Sequence, residues 1–166
     1  RRGHYLGAHS DQHLLYCDWK NRDSLLITKN EFFDDLTKNY EALNEFGIKK
    51  QDVYYFLPPY EWYNDTISTW TKEYGLQLIN YTSGTRSTAD YTYPEMKSYC
   101  KSDEIYESII TYEKTNPAGL NGFILLVHIG TDPRRKDKFY LLLPNLLAEL
   151  IDKGYQFFTI DELLKE

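Results

Sequence analysis

The sequence predicts an α/β fold in which parallel strands alternate with helices. Short apolar runs with β-type composition alternate with amphipathic helical patterns along the 166 residues, which is typical of βαβ units. One run, Phe123–His128, is almost wholly apolar, as expected for a strand buried on both faces of a parallel sheet. Low-complexity tracts and long linkers are absent from the sequence, so we predict a single domain over residues 1–166.

Five segments have the composition of strands, and two of them are followed by residues typical of turns. The run that ends at Leu57 is closed by Pro58-Pro59, because proline cannot donate a ladder hydrogen bond. The next run is followed by the polar stretch 82–85, which contains Gly84. The predicted strands are His4–Ala8, Val53–Leu57, Leu76–Tyr81, Phe123–His128 and Tyr155–Phe158.

Four helical patterns separate these strands. Thr28-x-x-Glu31 has the form of a capping box, apolar residues recur at helical spacing from Phe32 to Phe46, and Gly47 provides a C-terminal stop. The other predicted helices cover Asn64–Tyr74, a segment that begins at Ser102, and a leucine-rich segment from Phe139 to Ile151.

The composition excludes several classes of protein. Lys and Arg number 19 against 25 Asp and Glu, a net charge of −6, whereas nucleic-acid binders that neutralise phosphates are normally basic. No apolar run has the length of a membrane span. Cys17 and Cys100 are too few for a disulfide framework; they could pair, but two buried thiols are the favoured interpretation. The 16 tyrosines suit a cleft that is half apolar and half wet.

Candidate chemistry lies at the carboxyl ends of the strands, where parallel α/β folds place their sites. After the first strand come His9 and His13. This i, i+4 spacing puts both imidazoles on one face of a helical turn, where they can bind one metal ion. Two surface histidines explain the spacing equally well. A metal site also needs a third ligand, usually a carboxylate.

Three further strand ends carry polar or aromatic residues. The Pro58-Pro59 turn can hold the Tyr60 N–H towards a cleft as an oxyanion donor, and Trp62 can stack on a sugar or pack in the core. Asp90, in the loop after the third strand, can orient a histidine. His128 ends the fourth strand. It can act there as a general acid or base, or it can be a histidine of the core.

Taken together, these segments resemble the polysaccharide deacetylase family (NodB-homology domain, carbohydrate esterase family 4). The family has five ordered motifs, and four match in order over nearly the whole chain. The matching segments are His9-Ser10-x-x-His13 for the second motif, Leu57-Pro58-Pro59-Tyr60 for the third, the loop ending in Asp90-Tyr91 for the fourth, and Ile124-x-Leu126-x-His128 for the fifth.

The resemblance implies a partial or distorted (β/α) barrel and a metal-dependent hydrolase. The enzyme would remove acetyl groups from an acetylated polysaccharide or oligosaccharide, by amide or ester hydrolysis, outside the cytoplasm. The implied cofactor is a divalent metal ion, with Zn²⁺ favoured. The implied site residues are His9 and His13 as metal ligands, His128 as general acid with Asp90 orienting it, and Pro59, Tyr60, Trp62, Tyr91 and Leu126 as substrate-binding residues, with Leu126 lining the acetyl pocket.

Three departures from the family pattern affect this reading. The first motif, F-D-D, whose two aspartates are the base and the third metal ligand, is not found. Phe33-Asp34-Asp35 is rejected because it follows the histidine motif and lies within a helix, where we expect both aspartates to face solvent. Leu57 replaces the motif arginine, and Tyr91 replaces a tryptophan. We therefore expect a domain without its first strand or strands, whose base and third ligand lie outside this chain and which alone is not a competent catalyst.

Two other functions remain open. A non-catalytic carbohydrate-binding protein on the same scaffold is favoured by Leu57 and by the missing aspartate pair. A glycoside hydrolase with two carboxylates, one of them Glu61, ranks lower because the sequence offers no convincing second acid. The sequence carries no signal for an oligomeric state.

Overall fold

The computed structural model describes residues 3–165 and divides the chain into two compact units. The first unit comprises residues up to Asn80 together with those from Phe158, and the second is Tyr81–Phe157. A single domain over residues 1–166 stays a prediction. Arg1, Arg2 and Glu166 lie outside the described residues.

Parallel strands and crossover helices build the first unit. Strand β1 (Tyr55–Phe56) pairs in parallel with β2 (Gln77–Leu78), with Tyr55 opposite Gln77. Ala8 joins Phe56 through a parallel bridge. Helices α1 (Lys29–Glu45) and α2 (Asp65–Glu73) connect these segments in chain order, as parallel pairing requires. The predicted parallel α/β class is confirmed for this unit.

The strands are shorter than predicted. Of His4–Ala8, Ala8 alone among the described residues pairs as part of a sheet. The hydroxyl of Tyr5 accepts the backbone N–H groups of Tyr54 and Tyr55 at 2.6 and 2.7 Å. A side chain thereby occupies the donors that a longer ladder would have used.

Helix α1 begins and ends where the sequence predicts. The Glu31 N–H donates to Thr28 Oγ1 at 3.3 Å, and the Glu31 carboxylate accepts from the Thr28 N–H at 2.7 Å, completing the capping box. Gly47 follows the helix with φ +80°, the left-handed conformation that glycine adopts without steric cost. Phe46, counted in the apolar stripe, is 83% exposed because the helix has already ended at Glu45.

The expectation that both aspartates of Phe33-Asp34-Asp35 face solvent is wrong for Asp35. Asp34 is exposed, but Asp35 is only 4% exposed. The reason is helical geometry, since Asp35 lies next to the buried Leu36 and one turn after the buried Phe32. Asp35 therefore lies on the inner face of α1.

The core of the first unit lies between α1, α2 and the paired segments. Asn64 caps helix α2, because its side chain accepts the Ile67 N–H at 3.0 Å. A short helix α5 covers Ile160–Leu163. The buried residues of this core are Ala8, Tyr16, Cys17, Phe32, Leu36, Tyr40, Val53, Phe56, Ile67 and Leu76.

The second unit is built around helices α3 (Ser102–Thr115) and α4 (Leu143–Asp152), as the apolar patterns predict. Single 3-10 turns cover Ser87–Tyr91 and Phe139–Leu141. The buried residues of this core are Cys100, Ile105, Ile109, Ile110, Phe139, Leu146 and Leu150.

A wholly buried arginine joins the loops of the second unit. Arg135 has no exposed surface. Its guanidinium donates to the carbonyls of Thr92 at 2.8 Å, Cys100 at 3.0 Å and Asp137 at 2.9 Å, and to Ser102 Oγ at 2.8 Å. These bonds satisfy a charge that would otherwise be costly to bury.

Two predicted strands are wrong for the part of the chain that the structure describes. Phe123–His128 and Tyr155–Phe158 are not assigned to any strand. The first segment is half-buried throughout, not buried on both faces, and Ile124 accepts the Thr82 N–H at 2.9 Å. An apolar run favours extended chain, but a strand forms only where a neighbouring backbone pairs with it.

Both cysteines are buried free thiols, as favoured from the sequence. Within residues 3–165, no helix combines the length and the apolar composition needed to cross a bilayer.

Candidate functional site

The first candidate site is the histidine loop, residues 9–13. His9 Nδ1 lies 2.8 Å from the carbonyl oxygen of Leu57. A carbonyl oxygen can only accept a hydrogen bond, so Nδ1 carries the proton and the Nε2 lone pair is left for a ligand. The rings of His9 and His13 lie beside each other, with centroids 5.1 Å apart. The structure thus brings the two predicted metal ligands together.

The i, i+4 spacing predicts a helical turn, but His9 and His13 do not lie on one. Ser10 has φ +81° and His13 has φ +52°, left-handed conformations that non-glycine residues seldom adopt. Ser10 Oγ accepts the His13 N–H at 2.9 Å. The two rings are therefore adjacent because of a side-chain-supported turn.

An exposed aromatic surface, formed by Trp19, Tyr60 and Trp62, adjoins His13. The Tyr60 ring centroid lies 4.5 Å from that of His13, and the Trp19 centroid lies 5.6 Å from Tyr60 and 5.5 Å from Trp62. Trp19 is 55% exposed and Tyr60 45%. Trp62 is half-buried beneath the guanidinium of Arg22, which lies 4.3 Å from its ring centroid.

The sequence did not single out Trp19. It follows Cys17-Asp18 and does not stand at a predicted strand end, where parallel α/β folds place their sites. Its residue type was the one feature of the sequence that could have identified it. Trp19 is one of only three tryptophans in the chain, and tryptophan suits a partly wet aromatic surface.

The turn after β1 aims Tyr60 at His13. Pro58 and Pro59 are buried, and Tyr60 and Glu61 follow with φ +58° and +52°. A left-handed conformation costs a non-glycine residue roughly 1–2 kcal/mol, so two in succession mark a turn that its surroundings hold in place. The predicted rigid turn is present.

A second candidate site, in the second unit, pairs Asp90 with His128. Asp90 Oδ1 lies 2.6 Å from His128 Nδ1, and Asp90 Oδ2 accepts the His128 backbone N–H at 2.6 Å. Asp90 is completely buried, whereas the His128 side chain is 35% exposed. The Tyr91 ring centroid lies 5.6 Å from that of His128. A carboxylate facing Nδ1 favours the tautomer with its proton there.

Leu126 lies two residues before His128. Its neighbours Leu125 and Val127 pack against the core of the second unit. Two side chains that face the core, one on each side of Leu126, are spaced as the period of two of extended chain predicts. Leu126 itself is half-buried, as is His128.

The residues present fit part of a metal site. Within residues 3–165, no group of three or more His, Cys, Asp or Glu side chains is arranged to hold a metal ion. The imidazoles of His9 and His13 are ligands that suit Zn²⁺, but a catalytic zinc site takes three protein ligands. The pair can fill two of those positions, and a third ligand outside this chain stays a prediction.

The fold and these residues resemble those of one class of protein. In the first unit, parallel strands joined by helices carry an H-S-x-x-H loop and a P-P-Y turn. The second unit carries a buried aspartate paired with a histidine. These segments follow one another in the order of the deacetylase motifs. The resemblance to the polysaccharide deacetylase family is confirmed, and the chain has the α/β fold of part of such a domain.

Individual relatives support this class. The chain is 26% identical over 168 residues to a peptidoglycan-N-acetylglucosamine deacetylase from Bacillus cereus, covering 99% of this chain and 65% of the relative. A pseudoenzyme of carbohydrate esterase family 4 from Bacillus anthracis has a TM-score of 0.66 and 22% identity, over 96% of this chain and 46% of that structure. A mutant of it with restored enzymatic activity matches equally well.

A third relative is a peptidoglycan N-acetylglucosamine deacetylase solved in complex with 4-naphthalen-1-yl-N-oxidanyl-benzamide. Its TM-score is 0.69 at 16% identity, over 97% of this chain and 63% of that structure. This chain therefore spans less than two thirds of each of these relatives. No protein-family model matches it.

Proposed function

We propose that this chain forms part of a metal-dependent carbohydrate deacetylase that hydrolyses the acetyl amide or ester of a glycan. The observation that carries the proposal is the paired imidazoles of His9 and His13, with the His9 tautomer set by the Leu57 carbonyl at 2.8 Å. The likeness to a peptidoglycan deacetylase supports an acetylated glycan as substrate and a location outside the cytoplasm.

The histidine loop supplies two ligands in this proposal. Leu57 holds the His9 ring by its Nδ1–H, so that His9 Nε2 and an imidazole nitrogen of His13 are the atoms that bind. When bound, a divalent ion such as Zn²⁺ supplies a Lewis acid that polarises the acetyl carbonyl and activates water. The Tyr60 N–H donates to the oxyanion that develops at the acetyl carbon.

The second pair supplies the proton in this proposal. Asp90 holds His128 by Nδ1, so Nε2 is the atom that protonates the leaving nitrogen or oxygen as its bond to the acetyl carbon breaks. Leu126, two residues away, contacts the acetyl methyl. The resemblance assigns the base to an aspartate of the first motif, which the four matched motifs do not contain.

The aromatic surface binds the sugar in this proposal. Trp19 and Tyr60 offer exposed ring faces and edges beside His13. Rings of this kind pair apolar area with a polar group, which suits the mixed surface of a pyranose. The Trp62 ring lies beside that of Trp19, and Pro59 is a buried residue of the turn that carries Tyr60. Tyr91 offers a further exposed ring beside His128.

A specific observation favours a second candidate, a non-catalytic glycan-binding protein on the same scaffold. Within residues 3–165 no third metal ligand joins His9 and His13, and Leu57 stands at the arginine position of the motif. The likeness to a pseudoenzyme supports this candidate as well.

Metal content and acetate release together separate the two candidates. The purified chain is equilibrated with Zn²⁺, and bound metal is counted before acetate release is measured from N-acetylglucosamine oligosaccharides and from acetyl-ester sugars. About one equivalent of metal that is lost in His9→Ala and His13→Ala supports the deacetylase, and acetate release in addition would mean that this chain is competent without the first motif. Glycan binding without metal supports the second candidate. Neither metal nor glycan binding overturns both.

A further inference from the structure

Asp35 on α1 accepts three hydrogen bonds from the histidine loop. Its Oδ2 accepts from Ser10 Oγ at 2.6 Å and from the Asp11 N–H at 3.3 Å, and its Oδ1 accepts from the Gln12 N–H at 2.8 Å. All three donors lie between His9 and His13. The carboxylate is only 4% exposed, so water does not compete strongly for these bonds.

A second residue on the same face of α1 completes the contact. Asn39 lies four residues after Asp35, and its Oδ1 accepts the His9 N–H at 3.0 Å. Residues at i and i+4 are neighbours on a helix surface. One helix face therefore holds the loop at His9 and again at Ser10 to Gln12.

The contact reaches His13 through Ser10. The Ser10 hydroxyl donates to Asp35 and accepts from the His13 N–H at 2.9 Å. This arrangement supports two left-handed residues, Ser10 and His13, whose conformation persists only where surrounding contacts determine it. Asp35 provides the contacts that oppose relaxation of the loop.

The environment of the buried Tyr16 is consistent with this arrangement. Tyr16 is fully buried in the core of the first unit. Desolvation by burial raises the pKa of Tyr16, Ser10 opposes that increase, and the charge of Asp35 adds to it. The Asp35 carboxylate thus faces the loop from within the protein.

We propose that Asp35 is a positioning residue that sets His9 and His13 in the geometry for binding a divalent ion. The inference rests on the proposed function, because it takes His9 and His13 as metal ligands. Asp35 itself is not a ligand in this proposal: its carboxylate oxygens face Ser10, Asp11 and Gln12. Outer hydrogen bonds of this kind orient metal ligands and tune their affinity.

The test compares two neighbouring aspartates on α1. Asp35→Asn and Asp35→Ala are measured against Asp34→Ala, whose aspartate is exposed. Co²⁺ affinity and the visible absorption spectrum of bound Co²⁺ report the ligand geometry, and hydrogen exchange of the Asp11 and Gln12 amides reports the loop without metal. Thermal unfolding shows whether each variant folds.

We expect Asp35→Ala to weaken Co²⁺ binding roughly 10–100-fold, to change its spectrum and to speed exchange of both amides. Asp35→Asn retains one acceptor oxygen and should fall between Asp35→Ala and the unaltered chain, even if Asp35→Ala does not fold. Asp34→Ala should change none of these.

Two outcomes overturn the inference and are distinguishable. Faster exchange in Asp35→Asn with unchanged Co²⁺ affinity and spectrum means that Asp35 supports the loop without positioning ligands. An unaltered chain that binds no Co²⁺ overturns the assignment of His9 and His13 as a metal-binding pair in the proposed function, and the positioning role with it.

Discussion

The two carboxylate oxygens of Asp90 both face His128. Oδ1 lies 2.6 Å from the Nδ1 atom of the ring, and Oδ2 accepts the backbone N–H at 2.6 Å. The aspartate has no exposed surface, whereas 35% of the histidine side chain is exposed. One side of the imidazole is therefore held by a buried acceptor, and this constrains both the orientation and the tautomer of the ring.

Asp90→Asn should release that constraint. The ring and the backbone N–H of His128 face different oxygens of Asp90. An amide presents one acceptor oxygen and one donor nitrogen, so one of these two positions would lose its acceptor. We expect the proton of neutral His128 to redistribute between Nδ1 and Nε2, which ¹⁵N NMR of the imidazole measures. If the chain releases acetate, we also expect the rate to fall roughly 10²–10⁴-fold. An unchanged tautomer would contradict the role given to Asp90.

Trp19→Ala should weaken glycan binding. Trp19 is 55% exposed and lies against Tyr60 in the aromatic surface, and losing an anchoring aromatic ring commonly costs more than about 1 kcal/mol. We expect affinity for N-acetylglucosamine oligosaccharides to fall by roughly fivefold or more, as measured by calorimetry. Phe46→Ala is the matched control, since Phe46 is an 83% exposed ring at the end of α1. Equal losses in the two variants would exclude a specific aromatic site.

Arg135→Met should destabilise the protein strongly. The substitution retains much of the length of the side chain but removes the donors to Thr92, Cys100 and Ser102. A buried acceptor left without a donor typically costs about 1–3 kcal/mol, and several are affected here, so we expect a loss of more than about 2 kcal/mol, which urea unfolding can measure. Arg134→Met is the neighbouring control: Arg134 is 56% exposed and pairs with Asp132, so we expect a loss below about 1 kcal/mol. Similar losses at both positions would refute the role of burial.

Asp137→Asn should lower stability in a pH-dependent way. Burial acts to raise the pKa of Asp137, but hydrogen bonds from the Ser102 N–H and the Tyr99 hydroxyl and the charge of Arg135 lower it below its ordinary value of 3.8. At pH values between the folded and the unfolded pKa of Asp137, the unfolded state therefore binds more protons than the folded state. The stabilising contribution is present above pH 3.8 and is lost as pH falls through the lower, folded pKa.

We therefore expect Asp137→Asn to be less stable than the unaltered chain near pH 7, and the difference to shrink as the pH is lowered past 4. Thermal unfolding from pH 2 to pH 7 measures this. A difference that is constant over that range would mean that the charge of Asp137 contributes nothing.

Features that act over one helical turn were predictable from the sequence. The Thr28 capping box, the stop at Gly47 and the leucine-rich helix depend on residues three or four positions apart. The sequence also predicted the order of His9, Asp90 and His128 along the chain, because each belongs to a motif, which is a local pattern. The parallel topology of the fold class predicts sites after strands. This holds for His9, which follows the bridged Ala8, but not for His128, whose segment is not a strand.

Features that depend on distant backbone were not predictable. Phe123–His128 has the composition of a buried strand, yet the described chain provides no strand partner for it. Tyr5 limits pairing near β1 with a side-chain hydroxyl rather than a backbone group. A composition predicts which conformation a segment favours, but the partner decides whether it becomes a strand.

By itself, the sequence determined the fold class, the helices and the identity of the residues that could do chemistry. Tertiary structure alone decided which of them meet. Asp34 and Asp35 are chemically identical neighbours, and packing of α1 buries one of them against Ser10, 25 residues away. Asp90 and His128 are separated by 38 residues. Contacts over such separations depend on how the whole chain folds back, since no local preference encodes the approach of two distant side chains.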